Sequence, residues 1–407
     1  MPARRHQTLQ GQTLGPVVPE TGTTRGSRQR LPETGISRFD GRGRHRCPPS
    51  LLNSRGGSFT NYDYCMARGR RLNPLGPSTT LSMRVLVYGA DAETALGRMC
   101  ARGLESLGHD VAYVERNLRT FPLIGPLNLD EAHDRFETTA TELDVDAVLV
   151  MKGYDVSQEL LEQIRLSTDA VLCNWNPDNP YKIRSKERVA TKYLDTLPAY
   201  DIVFTWGEFL LDRLRKDGAD DVRYLPFAHD PQFHYPAKAH NEYDCEVAFL
   251  GHYSPKRERY LSALTDLDFQ LRGNMWRWKC FDWSLRRCYY GAALGHPSYT
   301  RAMASTDIVV NVVADHNLPE HNMRTFEAPA SGSLMVTTRS EGQQQYFPDK
   351  EACVMYDDPA ELQDVVAQYL DDDEEREAIA ARGREWVEGH TYEQRMAKLV
   401  NAVSEYK

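Results

Sequence analysis

The sequence predicts an α/β protein of two doubly wound parallel-sheet domains facing each other across a cleft, preceded by a disordered N-terminal segment. Three observations carry this expectation. From Met83 onward short apolar runs alternate with helical stretches; a polar, proline-containing segment over 229–244 interrupts the alternation; and residues 1–82 have no period at all. At 407 residues and 41% apolar the chain also exceeds the roughly 100–200 residues of a usual single domain. The expected division is therefore 1–82, 83–228, a linker over 229–244, 245–390, and a closing helix over 391–407.

Residues 1–82 hold 13 Arg, no Lys and four acids, with breakers such as RGGS and NPLGPSTT. Such a segment cannot bury enough apolar surface to fold. It reads as disordered, or as lying upstream of a true start at Met83, outside the fold in either case. The first series then opens with the strand MRVLVYG, a helix over 94–107 and the strand DVAYVE. It continues with a helix over 129–143, a strand over 146–151, a helix over 157–167, a strand over 170–174 and a helix over 185–197. A strand over 201–206, a helix over 208–217 and a strand over 221–227 complete it. Continuous apolar runs of this length are what parallel strands buried on both faces require.

The second series starts at CEVAFLG (245–251), followed by a helix over 256–264, the strand DFQLRG and an aromatic stretch over 275–290. A helix over 297–305, a strand over 307–313, a helix over 322–331 and strands over 333–338 and 352–356 come next. Helices over 359–371, 373–388 and 391–406 close the chain. The aromatic stretch reads as packing, with stacking on a ligand as the alternative.

Charge and cysteine content exclude several function classes. Net charge is −9, but from Met83 onward there are 36 basic against 54 acidic side chains. A body this acidic argues against nucleic acid as the partner, because phosphate backbones require a basic stripe. The eight cysteines form no CxxC pair and have no His at finger spacing, so neither a disulfide framework nor a bound metal is expected. No apolar run reaches the ~18–20 residues of a membrane helix. A cytoplasmic protein without a transmembrane segment is expected, with peripheral membrane contact left open.

The segment HNMRTFEAPASGSLMVTTR (321–339) carries the strongest chemical signal. A helix starting near Asn322–Met323 would aim free N–H groups at an anion. Glu327, four residues after Met323 on the same helix face, could accept two hydrogen bonds from a ribose diol. The competing reading is an ion pair with Arg324 at i,i+3. NWNPDNPYKIRSK (174–186) follows a strand and so faces the cleft. Asn174 would then lie on the acceptor side, and Asp178 is a candidate general base, unless it only shapes an Asx turn beside Pro177 and Pro180. His229 in the connector is a second candidate. YGADAETALG lacks the G-x-G-x-x-G spacing, so no dinucleotide cofactor is expected. Gly89 is assigned to backbone approach of an acceptor, or only to a tight turn.

NMRTFEAPASGSLMVTTRSEGQQQYFPDKEACVMYDD and HTYEQRMAKLV, with CEVAFLGHYSPKRERYLSAL and YTRAMASTDIVVNVV upstream, resemble the CgeB-like (spore-maturation type) branch of the group 1 and group 4 glycosyltransferases. The likeness extends more loosely from Met83 to the C-terminus. It implies the GT-B fold: a Rossmann-like acceptor domain, a Rossmann-like nucleotide-sugar donor domain, and a last helix returning to the first. It implies sugar transfer from a nucleotide-sugar donor to a hydroxyl acceptor without a metal ion or other cofactor. By the same resemblance Glu327 meets the donor ribose, Asn322 and Arg324 lie near the diphosphate, and Gly251 with Lys256 or Arg257 supplies a turn and a phosphate contact.

A second glutamate often found eight positions before the ribose glutamate is here Pro319, with Glu320 next to it as a candidate donor-sugar contact. The stereochemical outcome therefore stays open. An epimerase using the same nucleotide site and a non-catalytic nucleotide-sugar-binding protein are the alternative functions. The epimerase would need acid/base carboxylates around the sugar; the binding protein would show no donor turnover.

Overall fold

Strands that read as continuous apolar runs form two separate parallel sheets. The computed structural model describes residues 82–90, 92–116, 119–121, 125–127, 129–182 and 192–407. The expected disorder over 1–82 lies outside these residues except for Ser82, and so does most of the helix expected over 185–197. The first sheet contains β1 (Arg84–Gly89), β2 (Asp110–Glu115), β5 (Ala147–Met151), β6 (Val171–Asn176), β7 (Ile202–Thr205) and β8 (Val222–Tyr224), in the order β2-β1-β5-β6-β7-β8. Helices α1 (Leu96–Ser106), α2 (Leu129–Glu142), α3 (Gln158–Ser167) and α4 (Leu211–Lys216) connect its strands. A short antiparallel hairpin, β3 (Arg119–Phe121) with β4 (Gly125–Leu127), was not foreseen.

The second sheet has β9 (Cys245–Leu250), β10 (Phe269–Arg272), β11 (Tyr289–Gly291), β12 (Thr306–Asn311), β13 (Leu334–Thr338) and β14 (Val354–Tyr356), in the order β11-β10-β9-β12-β13-β14. Every pairing in both sheets is parallel. In each sheet the chain reverses its direction of winding beside the first strand, between β1 and β5 and between β9 and β12. Open α/β sheets leave a crevice at this switch point, outside the carboxyl ends of the strands. The chain thus has the GT-B architecture of two doubly wound parallel sheets.

Helix starts follow the local sequence. Ser254 accepts from the Arg257 N–H at the head of α5 (Pro255–Leu261), and Pro255 takes the first helical position, where its missing N–H costs nothing. Asp358 caps α11 (Pro359–Asp371) in the same manner, and Thr391 with Gln394 forms a capping box on α13 (Tyr392–Tyr406). This last helix packs against α1. A Cβ on Gly103 would come within 2.9 Å of the Tyr392 carbonyl group, so the two backbones meet closely only because position 103 is glycine. Gly273 is constrained more tightly: its φ is +150°, and an added Cβ would lie 1.8 Å from the Gly251 oxygen.

The aromatic stretch is the expected packing cluster only in part: Trp276, Cys280, Leu285 and Cys288 join the core. It forms two one-turn helices, α6 (Trp276–Lys279) and α7 (Trp283–Arg287). Only Trp276 among its tryptophans is buried, while Trp278, Phe281 and Trp283 face solvent. The six described cysteines are all buried and free.

Candidate active site

The turns that leave β1, β5, β6, β9 and β12 at their carboxyl ends converge on one cleft of about 510 Å³ between the sheets. From the first sheet come Ala90 and Thr94 after β1, Lys152 after β5, and Pro177 and Asp178 after β6. From the second come Leu250, Arg257, Asn311, His316, Arg324 and Glu327. Both switch points thus open into the same space.

Arg257 sits on α5, just after the first strand of the second sheet. Its Nη1 donates to the His252 carbonyl at 2.7 Å and its Nε to that of Val312 at 3.3 Å. Burial, and then the nearby Arg324 charge, pull its pKa down to about 10. A guanidinium paired with neutral carbonyls at the edge of a cleft retains its affinity for an anion. Lys256 departs from the expectation. Its amine meets the Asp315 carboxylate at 2.8 Å, and it does not line the cleft. Gly251 lies behind the cleft wall, its carbonyl accepting from the Trp276 indole at 2.8 Å.

Glu327 lies on α9 (Arg324–Ala330), where it makes the ion pair its spacing suggested and leaves one carboxylate oxygen without a hydrogen bond. Its Oε2 accepts from Arg324 Nη1 at 2.8 Å, the expected i,i+3 pair, and from the Tyr299 hydroxyl at 2.6 Å. Its Oε1 has only His234 Nε2 nearby, at 3.7 Å, beyond hydrogen-bond length. Burial lowers the His234 pKa, with Glu327 opposing that shift. Arg324 is further tied to the Leu250 carbonyl and lies over the Tyr299 ring. Asn322 lines the cleft, but its amide exchanges hydrogen bonds with Asn311 at 2.9 and 3.2 Å and caps Thr325. That side chain supports the loop and has little left for a ligand.

On the opposite wall Asp178 accepts from the Lys152 amine at 3.0 Å. The Asx turns here are made by Asn176, accepting from the Asp178 N–H, and by Asn179, accepting from Tyr181, so the Asp178 carboxylate is not spent on the backbone. The Asn179 amide also donates to the His316 carbonyl at 3.2 Å, which joins the two walls. Lys152 has φ +66°, a left-handed conformation rare for a side chain of its size and often found at functional sites. Burial depresses the pKa of His316, with Asp178 pulling it the other way. Sequence reasoning singled out neither Lys152 nor His316, nor Tyr299 and His234.

Four more predicted residues, besides Lys256 and Gly251, do not line the cleft. Asn174 is fully buried within β6, donating to the Val150 carbonyl at 3.1 Å and accepting from the Tyr193 hydroxyl at 3.0 Å. Gly89 faces the Tyr113 ring, and a Cβ there would lie 2.6 Å from the Tyr113 hydroxyl, so it serves packing. His229 is buried where the chain crosses between domains, its N–H donating to the His390 carbonyl at 3.0 Å. Glu320 accepts from the Glu208 N–H at 3.1 Å, and so joins the two domains away from the cleft. Among the described residues no three His, Cys, Asp or Glu side chains converge as a metal site. No helix there is long and apolar enough to cross a membrane.

Residues 256–401 match the model of a family described as glycosyl transferase-like. No curated protein matches the chain. Among solved structures of similar fold is sucrose-phosphate synthase from Thermosynechococcus elongatus, with a TM-score of 0.58 at 14% identity over 80% of this chain and 100% of that one. HepE of Anabaena, in complex with UDP-glucose, has a TM-score of 0.54 at 12% identity over 79% of this chain and 100% of its own. A Listeria monocytogenes protein assigned as a UDP-N-acetylglucosamine 2-epimerase gives 0.52 at 11% identity, covering 80% and 96%.

Proposed function

We propose that this GT-B chain, with its glycosyl transferase-like region over 256–401, transfers a sugar from a nucleotide-sugar donor to a hydroxyl acceptor without a metal ion. Arg257 carries the proposal: it is a cleft cation hydrogen-bonded only to carbonyls, set across from the Asp178–Lys152 pair of the other domain. As the bond from the anomeric carbon to the diphosphate oxygen breaks, negative charge grows on the leaving group, and a preorganised cation there lowers the barrier. The acceptor oxygen forms the new bond, and its proton passes to Asp178 as general base. Glu327, with Oε2 held by Tyr299 and Arg324, offers Oε1 to the donor ribose. Closure about the 229–244 linker would exclude water, which otherwise hydrolyses the donor.

The test is calorimetric titration of UDP, GDP, ADP and TDP into the protein without added metal. One nucleotide is expected to bind tightly, and binding is expected to weaken in both Glu327→Gln and Arg257→Ala. Normal affinity in both folded variants would sink the donor-site assignment. The Listeria neighbour has the same fold, so fold does not separate transfer from epimerisation. Incubation of the sugar nucleotide alone decides that point, because a new sugar isomer formed without any acceptor would mark an epimerase. Nucleotide binding with no turnover under any acceptor would mark a binding protein.

A further inference from the structure

The segment from Met275 to Tyr290 is one the cleft does not use. Trp278, Phe281 and Trp283 are 76, 83 and 77% exposed, and Met275 and Tyr290 add further apolar surface beside them. The display is built from beneath. Trp276, Cys280 and Leu285 point inward, and the Trp276 ring packs edge-on against Phe249 and Tyr253. Glu258 Oε1 accepts from the N–H groups of Phe281 and Asp282 at 2.6 and 2.8 Å, while its Oε2 takes the Tyr253 hydroxyl. The Asp282 carboxylate caps α7 through the Ser284 and Leu285 N–H groups. Both nearby acids are thus engaged by the backbone, and the exposed rings stand on an ordered base.

Four cations, Arg277, Lys279, Arg286 and Arg287, share this segment with Asp282 as its one acid, on a body that is otherwise strongly acidic. Arg286 donates to the Arg277 carbonyl at 3.0 Å and lies over the Trp283 ring, and Arg277 lies over Trp278. Aromatic rings interleaved with cations suit the headgroup level of an anionic bilayer, where rings enter the interface and cations meet lipid phosphates. A groove for single-stranded nucleic acid would wall in one face of each ring, and exposures this high leave no wall. We infer that the face formed by Trp278, Phe281 and Trp283 with Arg277, Lys279 and Arg286 docks the protein on anionic lipid membranes.

The experiment is co-sedimentation of the full chain with phosphatidylcholine vesicles, alone or mixed with phosphatidylglycerol. Binding is expected only to the mixed vesicles, and should fall as salt is raised. The triple variant Trp278→Ser, Phe281→Ser, Trp283→Ser is expected to lose binding with its circular dichroism unchanged. Arg277→Gln with Lys279→Gln should weaken it about fivefold per charge removed, and it keeps the test valid if the triple variant misfolds. Leu166→Ser, another exposed apolar position, should bind like the parent. The inference is overturned if the parent chain does not sediment with the mixed vesicles. Unchanged binding by both patch variants also overturns it, since the Arg-rich first 82 residues or another face would then carry the attraction. Loss of self-association or of single-stranded oligonucleotide binding in the triple variant, with vesicle binding intact, overturns it as well.

Discussion

Two polar regions lie between the same two sheets, and they treat buried polar groups in opposite ways. At the joint where the chain crosses between domains, the hydrogen bonds made tie the two domains together, and the polar atoms left unbonded, both His229 ring nitrogens and Glu320 Oε2, are shut away from solvent. Arg395 donates to the Pro226 and Phe227 carbonyls and to His390, His229 bridges residues 390 and 392 through its backbone, and Glu320 accepts from Glu208. In the cleft, Arg257 has only carbonyl partners and Glu327 keeps one oxygen unbonded. Burial alone therefore does not mark function. Charge with spare bonding capacity, facing open space, is what sets the proposed donor site apart.

The largest effect that would sharpen this contrast is acid sensitivity of the joint. Burial, reinforced by His234, Arg384 and His390, holds the His229 pKa down to about 3. In the unfolded chain it returns to 6.5. Between those values the folded state binds fewer protons than the unfolded one, so stability falls as pH drops below 6.5 and is unaffected above it. The expected slope is about 1.4 kcal/mol per pH unit from this residue. Neither ring nitrogen makes a hydrogen bond of full geometry, the Val387 backbone being the one polar group close to the ring, so His229→Phe should cost little stability at neutral pH while making the acid limb less steep. Urea melts of both proteins across the acid range check this. An equally steep limb in the variant would move the sensitivity to other groups.

Next in size is the nucleotide side of the contrast. Arg257→Ala should cost about 2 kcal/mol of UDP affinity, near thirtyfold, as expected for one lost charged hydrogen bond. Its melting temperature should change little. Glu320→Ala should do the reverse, lowering stability by about 1–2 kcal/mol because the Glu208 N–H loses its acceptor, with UDP affinity unchanged. If Glu320→Ala weakens UDP-sugar binding instead, the division between joint and cleft fails at that residue.

The same division explains what the sequence disclosed. Strands such as AVLVM and IVFT are buried along their whole length, and their apolar runs announced them. β11 is three half-exposed residues at a sheet edge, and α10 (Glu341–Tyr346) is a single glycine-containing turn whose one signal is its Ser340 cap, so neither has a period to read. Arg257 and Arg324 were singled out through the resemblance of their segments, and Glu327 also through its place one turn into a helix that starts near Asn322. Asn174 was misplaced because β6 runs on to Asn176, which keeps residue 174 inside the sheet. Lys152 directly follows β5 in the way Asp178 follows β6, so the reasoning that found one could have found the other. His316 sits in a loop before α9, where no spacing rule applies.

The smallest expected effect on stability belongs to Lys152, and it bears most directly on the acceptor side. Its pair with Asp178 is partly exposed on both sides, and such pairs contribute about 0–1 kcal/mol. Its left-handed backbone costs about 1–2 kcal/mol that glycine would not incur, though glycine loses more chain entropy on folding. Lys152→Gly should therefore fold with stability within about 1 kcal/mol of the parent. UDP affinity should stay constant, because the amine faces Asp178 across the cleft from Arg257. What should fall is kcat for sugar transfer, since Asp178 loses the cation that orients it. A variant that folds and transfers sugar normally would mean that the strained Lys152 does not position Asp178. The general base would then have to be sought elsewhere on that wall, with His316 the next residue to change.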